Sequence, residues 1–82
     1  MIEVKVKDTA KKDIKKLDHK TAKKILLAIK ELENYPDTTN IKKLKNFTPA
    51  FRKRVGDYRI LFELENNAIY IYRIKHRKDA YD

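Results

Sequence analysis

The 82-residue chain carries 21 lysines and arginines against 12 aspartates and glutamates, a formal net charge of +9, with 41% hydrophobic and 40% charged residues. That length holds one domain over residues 1–82, and its five tyrosines and three phenylalanines exclude a disordered basic tail. Cysteine is absent, which excludes a disulfide framework and thiolate zinc sites; no apolar run is long enough to span a bilayer, and no basic-then-apolar leader opens the chain, so a cytoplasmic protein is expected.

The first segment, Ile2-Glu3-Val4-Lys5-Val6-Lys7, alternates as a half-buried strand does. Asp8 is placed to cap a helix in which Ala10, Ile14 and Leu17 recur at helical spacing. Asp18 is placed to cap a second helix with the apolar stripe Ala22, Ile25, Leu26, Ile29 and Leu32, ended by Asn34-Tyr35-Pro36. An αα-hairpin over residues 8–35 follows. Residues 36–50 read as a connection in which Ile41 and Leu44 anchor one turn of helix. Three strands then follow, Phe51–Val55, Tyr58–Leu64 and Ala68–Lys75, rich in β-branched and aromatic residues. Gly56-Asp57 suits a type II′ hairpin loop and Asn66-Asn67 a type I′ loop. The fold class is α+β: an N-terminal strand, a helical hairpin and an antiparallel β-meander, in the order β-α-α-β-β-β. The first strand is expected to complete the sheet.

Two-residue loops fix the register. Val55 pairs with Tyr58, Arg54 with Arg59 and Arg52 with Leu61; Leu64 pairs with Ile69, Phe62 with Ile71 and Leu61 with Tyr72. One face then holds Phe51, Val55, Tyr58, Ile60, Phe62, Leu64, Ile69 and Ile71, the core face under the helices. The other holds Arg52, Arg54, Arg59, Leu61, Glu63, Tyr70, Tyr72, Ile74 and His76. Lys53 and Arg73 fall on the core side.

The second face carries the functional signal. Like charges directly opposite one another destabilise a sheet, yet Arg54 opposes Arg59 and Arg52 lies beside them. Arginine forks recognise phosphate, and Tyr70 and Tyr72 offer rings for stacking bases. The plain alternative is a solvated surface partly offset by Glu63, with tyrosines that brace the sheet and helix lysines (Lys12, Lys15, Lys16, Lys23, Lys24) that contact only water. Arginine stays protonated, so it orients phosphate and stabilises negative charge without acting as a base. Proton transfer falls to His76, whose side-chain type titrates near neutrality, and to Tyr81. His19 and His76 stand far apart in sequence without a carboxylate set, and no metal or other cofactor is expected. A metal-independent reaction suits RNA, which carries its own 2′-hydroxyl nucleophile.

The runs Arg54-Val55-Gly56-Asp57-Tyr58-Arg59-Ile60-Leu61-Phe62-Glu63 and Tyr72-Arg73-Ile74-Lys75-His76-Arg77-Lys78-Asp79-Ala80-Tyr81 resemble the RelE/ParE superfamily of toxin–antitoxin toxins. The order of elements matches over essentially the whole chain. The resemblance implies a compact toxin with a four-stranded sheet. In the RelE branch it implies an mRNA interferase that enters the ribosomal A site and cleaves mRNA to a 2′,3′-cyclic phosphate. It further implies a cognate antitoxin, ribosomal RNA and A-site mRNA as partners, operator DNA reached only through the antitoxin complex, and no membrane. By position, Arg59 matches the family's catalytic arginine, Arg52 and Arg54 its basic residues on the preceding strand, and Arg77 and Tyr81 its C-terminal arginine and tyrosine. His76 fills a position that is histidine in many relatives. Arginines at 52 and 54 replace the lysines of some RelE members, so no lysine base is available there. The ParE branch, which inhibits DNA gyrase by binding, is the alternative; the His76-Arg77 pair and Tyr81 favour RelE.

Overall fold

The computed structural model describes residues 1–79. Strand β1 (Glu3–Val6) leads into helix α1 (Asp8–Lys15) and helix α2 (His19–Glu31), which a 3₁₀ turn at Leu32–Asn34 extends. The N-cap of α1 is Lys7, not Asp8; Asp8 is the first helical residue, where its charge meets the N–H-rich end of the helix. Asp18 caps α2 as expected, accepting the Thr21 backbone N–H at 3.3 Å. No helix of the described residues is long and apolar enough to cross a membrane.

The connection departs from expectation. Ile41 and Leu44 belong to no helical turn; Ile41–Lys43 is strand β2, paired antiparallel to β3 (Phe51–Val55). Asn40 and Asn46 bracket the segment with φ of 62° and 63°, left-handed positions that asparagine tolerates and a helix does not. Pairing also satisfies the β3 backbone, and Arg54 N–H donates to the Asn40 carbonyl at 3.0 Å.

Strands β4 (Tyr58–Glu65) and β5 (Ala68–His76) complete a five-stranded mixed sheet of order β1-β5-β4-β3-β2, one strand more than the resemblance implies. β1 runs parallel to β5, with Val4 beside Ile69 and Val6 beside Ile71. Both hairpin loops take the expected form. Gly56 has φ +58° and Asp57 does not share it, as type II′ requires; Asn66 and Asn67 have φ of 50° and 62°, as type I′ requires.

The β3–β4 register is the expected one throughout, as are the pairs Leu64–Ile69 and Phe62–Ile71. Beyond Ile71 the expectation fails. A bulge opposite Leu61 adds one residue to β5, so Leu61 pairs with Arg73, not Tyr72. Every later residue therefore changes face. Ile74 pairs with Ile60 and is buried in the core, and Lys75 pairs with Arg59. His76 pairs with Tyr58 on the helix side, and Arg73 moves to the opposite side.

The bulge lies where β1 ends and α1 takes over the edge of β5. Lys7 N–H donates to the Ile71 carbonyl at 2.8 Å, the last bond from the β1 side. Thr9 Oγ1 then donates to the Tyr72 carbonyl at 2.6 Å, and Asp13 Oδ2 accepts the Ile74 N–H at 2.9 Å. Arg73 closes a bidentate pair on Asp13 at 2.8 and 3.0 Å. Side chains of α1 thus continue the ladder that β1 began.

Ala10, Ile25, Ala28, Ile29 and Leu32 of the helices bury against Ile60, Phe62, Ile69, Ile71 and Ile74 of the sheet. Phe51 stacks on Phe62 at 5.5 Å between centroids. Leu26, placed in the apolar stripe by spacing, is 54% exposed; Ala28 takes the inward position between Ile25 and Ile29.

Asp13 gives the first test. Its burial disfavours the charged carboxylate, but hydrogen bonds from Arg73 and Ile74 and the charges of Arg73 and Lys75 outweigh that and hold it below its usual 3.8. The stabilisation is present above the unfolded-state value and is lost as pH falls through the lower folded value. Asp13→Asn is therefore expected to lose about 2 kcal/mol at pH 7. The gap to the parent should narrow below the ordinary carboxyl value of 3.8 in paired urea melts. A constant gap across pH contradicts the account.

Candidate functional site

The sheet face opposite the helices is built by ladder register. One row runs Arg54–Arg59–Lys75 across β3, β4 and β5. The next runs Lys42–Arg52–Leu61–Arg73 across β2 to β5. A third runs Glu63–Tyr70–Lys5 from β4 to β1. Seven cations thus stand in three rows on one face.

Arg59 is the most enclosed of them, only 7% exposed. Its Nη1 donates to the carbonyls of Gly56 and Tyr58 at 3.2 and 3.1 Å, so the guanidinium lies over the β3–β4 turn. Gly56 forms that turn and offers its carbonyl to Arg59. Arg54 is exposed and Arg52 half-buried. An enclosed arginine with more exposed ones beside it suits an anion that arrives from solvent, because charge–charge attraction strengthens away from water.

Arg77 joins the same end of the sheet. Its backbone N–H donates to the Asp57 carbonyl at 2.7 Å, and its guanidinium lies 3.8 Å from the Asp57 carboxylate, both groups exposed. An exposed pair at that distance holds the arginine weakly and leaves it able to turn to a ligand.

Tyr70 and Tyr72 lie toward β1. Lys5 and Lys7 each place Nζ 5.6 Å from the Tyr70 ring centroid, and Lys7 lies 5.8 Å from that of Tyr72. The tyrosines therefore form a platform edged by ammonium groups. A groove of about 420 Å³ runs beside Tyr72, between Pro49, Glu63 and Arg73. Glu63 accepts the Ala50 N–H at 2.9 Å, which ties its carboxylate to the loop before β3.

His76 is not brought to this face. Its ring meets Tyr58 edge-on at 5.2 Å, and its Nδ1 accepts the Lys78 N–H at 3.2 Å. Lys75 stands opposite Arg59, the place that the expected regular register gives to Ile74. The bulge was the missed feature. Its signal was the spacing Ile69, Ile71, Ile74: a step of three inside a period of two. Tyr81 lies outside the described residues.

Lys53 points to the helix side, as expected, and is 3% exposed. Its ammonium donates to Thr39 O at 2.8 Å and Thr38 Oγ1 at 3.2 Å and lies 3.6 Å from the Glu31 carboxylate. Arg73, read from the sequence as structural, is ion-paired to Asp13.

With this geometry the comparisons with known proteins can be read. The family model "ParE toxin of type II toxin-antitoxin system, parDE" matches residues 4–81. The chain belongs to the RelE/ParE superfamily of toxins. Toxin RelE3 of Methanocaldococcus jannaschii is 37% identical over 75 residues, covering 87% of this chain and 85% of that protein. The toxin in a RelB-RelE antitoxin-toxin complex from Methanococcus jannaschii superposes with a TM-score of 0.75 at 34% identity, over 90% of this chain and 91% of that one. The toxin-antitoxin complex RelBE2 from Mycobacterium tuberculosis gives 0.78 at 26% identity, over 93% and 98%. The protein is the toxin of a toxin–antitoxin pair, with a RelE-like fold.

The two sides of β3 make separate predictions for neighbouring cations. Lys53→Met is expected to fold and to keep full growth arrest on induction, because its ammonium serves the 38–39 loop and α2. Arg54→Met, one residue on, is expected to weaken growth arrest while its melting temperature stays equal to or rises above the parent's, because a directly opposed like charge is removed. Equal toxicity of the two variants at equal expression contradicts the assignment of faces.

Proposed function

We propose that this toxin is a ribosome-dependent mRNA endonuclease that cleaves in the A site. The observation that supports this reading is the row Arg54–Arg59–Lys75 with Arg52 beside it. Cations directly opposed on a sheet repel one another, so the arrangement costs stability that an anionic ligand recovers. A phosphodiester bound there has donors on more than one side. Arg59, Arg52, Arg54 and Arg77 hold its oxygens and stabilise the charge that develops in the pentacoordinate state.

The 2′-oxygen attacks the adjacent phosphorus, and the bond from phosphorus to the 5′-oxygen breaks. The products are a 2′,3′-cyclic phosphate and a 5′-hydroxyl. The 2′-proton goes to a base and the departing 5′-oxygen receives a proton. A lysine ammonium can donate a proton, which a guanidinium does not, and Lys75 is placed beside Arg59 for that task. Tyr81 keeps the proton-transfer or stacking role that the sequence gives it. Tyr70 and Tyr72 supply the stacking platform, with Lys5 and Lys7 set to meet flanking phosphates. The nucleophile is the RNA's own hydroxyl, so the scheme calls for no metal. The ribosome supplies the A-site mRNA and an rRNA surface. A cognate antitoxin covers the cationic face, and operator DNA is met only through that complex; the relatives crystallised as RelB-RelE and RelBE2 complexes support the antitoxin as partner.

The second reading is a ParE-like toxin that binds DNA gyrase and cleaves nothing, favoured by the name of the family model that matches the chain. Purified toxin added to a translating system, with mRNA 5′ ends mapped by primer extension, separates the two. Cleavage at A-site codons, dependent on ribosomes, is expected. Arg59→Ala should lower it about 10²- to 10³-fold, the usual loss for one transition-state donor. Intact mRNA with folded toxin, together with loss of gyrase supercoiling, overturns the endonuclease reading in favour of the second.

A further inference from the structure

We propose that Thr9 and Asp13 of α1 are positioning residues for the cationic face: they clamp the β5 bulge at Tyr72 and so determine that Lys75 faces Arg59. This rests on the endonuclease reading for its activity arm and on the ladder alone for its structural arm.

The clamp acts on both sides of the extra residue. Thr9 Oγ1 holds the Tyr72 carbonyl at 2.6 Å, and Asp13 Oδ2 holds the Ile74 N–H at 2.9 Å. Asp13 also takes the Arg73 guanidinium in two bonds, at 2.8 and 3.0 Å. These groups all lie on the edge of β5 that β1 no longer covers after the Lys7–Ile71 bond. A bulge leaves a carbonyl and an N–H displaced from the regular ladder, and such a defect moves along a strand unless something local holds it. Here the holding groups come from α1, whose turns are themselves fixed by Ala10, fully buried in the core.

A displaced bulge has a specific consequence. Moving it beyond Lys75 returns Ile74 to the face of Arg59 and turns Lys75 toward the helices. Burial of Ile74 beside Ile60 resists that move, and the clamp adds a polar lock to the hydrophobic one. Toxin function depends on where Lys75 and Arg77 stand to within about an ångström, so loosening the lock lowers the rate without unfolding the domain.

The extra residue also supplies the control. Deleting Tyr72 joins Ile71 to Arg73 and leaves a regular ladder in which Arg73, Ile74, Lys75 and His76 keep their partners. In that background no bulge remains to be held. The test is a four-member cycle: parent, Asp13→Ala, the Tyr72 deletion and the two combined. Ribosome-dependent cleavage is measured at a temperature where circular dichroism shows each folded. Asp13→Ala is expected to lower cleavage about ten- to hundredfold in the parent; the deletion also removes a stacking ring, so its background is read by backbone contacts and not by rate. In parallel, backbone nuclear Overhauser contacts between Arg59 and Lys75 are expected to weaken in Asp13→Ala and to return in the combined variant. A general loss of stability would act equally in both backgrounds. Unchanged cleavage in folded Asp13→Ala, or the same loss of Arg59–Lys75 contacts in both backgrounds, overturns the proposal. If the parent itself leaves mRNA intact, the endonuclease reading fails. The Arg59–Lys75 contacts then decide: their persistence in Asp13→Ala overturns the clamp, and their loss supports it.

Discussion

Strand β5 is the member on which both halves of the sheet depend. It pairs in parallel with β1 on one edge and antiparallel with β4 on the other. Its apolar residues Ile69, Ile71 and Ile74 meet the helices from one side while Tyr70, Arg73 and Lys75 stand on the other. A one-residue change in its register inverts every side chain that follows. The bulge at Tyr72 is therefore a decision about chemistry as well as about backbone. It sends an isoleucine inward and a lysine to the arginine face, and it turns His76 onto Tyr58.

A chain with a net charge of +9 in 82 residues must put its cations somewhere, and this fold separates them by partner. Lys53 is buried with Thr38, Thr39 and Glu31 around its ammonium, which satisfies the charge where burial would otherwise penalise it. Arg73 is paired with Asp13. Arg59 is enclosed by carbonyls of its own turn. Arg54, Arg52 and Lys75 stand in adjoining rows on one face; among the described residues Asp13 meets Arg73, Glu31 meets Lys53, Glu63 accepts the Ala50 amide and Asp57 lies beside Arg77 at the sheet end.

Much of the fold was legible because its signals are local. Two-residue loops with Gly56 and with Asn66-Asn67 fix the two hairpins, and the β3–β4 register follows from the first. Helix α2 announces itself by its cap at Asp18 and its stripe. The misses share a cause: a spacing with two meanings. Ile41 and Leu44 are three apart, as on a helix, but the left-handed asparagines at 40 and 46 make the segment a strand and its exit. Leu26 follows Ile25 in a helical stripe, yet the smaller Ala28 is the residue that fits between helix and sheet, and Leu26 stays outside. Ile71 and Ile74 break the period of two, and the break itself was the mark of the bulge. Asp8 gave way to Lys7 as the cap because the cap position is set by backbone geometry at the end of β1.

The candidate site was legible in its arginines and illegible in its lysine for the same reason. Arg52, Arg54 and Arg59 lie on strands joined by a tight loop, where counting from the turn suffices. Lys75 lies beyond the bulge, and its place depends on groups sixty or so residues earlier in the chain, at Thr9 and Asp13. No reading of the last strand alone contains that information. The first helix supplies it by offering a hydroxyl to one backbone carbonyl and a carboxylate to one backbone amide. Local sequence thus specifies the arginine surface, while long-range contacts from the first helix meet the bulge beyond which Lys75 stands on it.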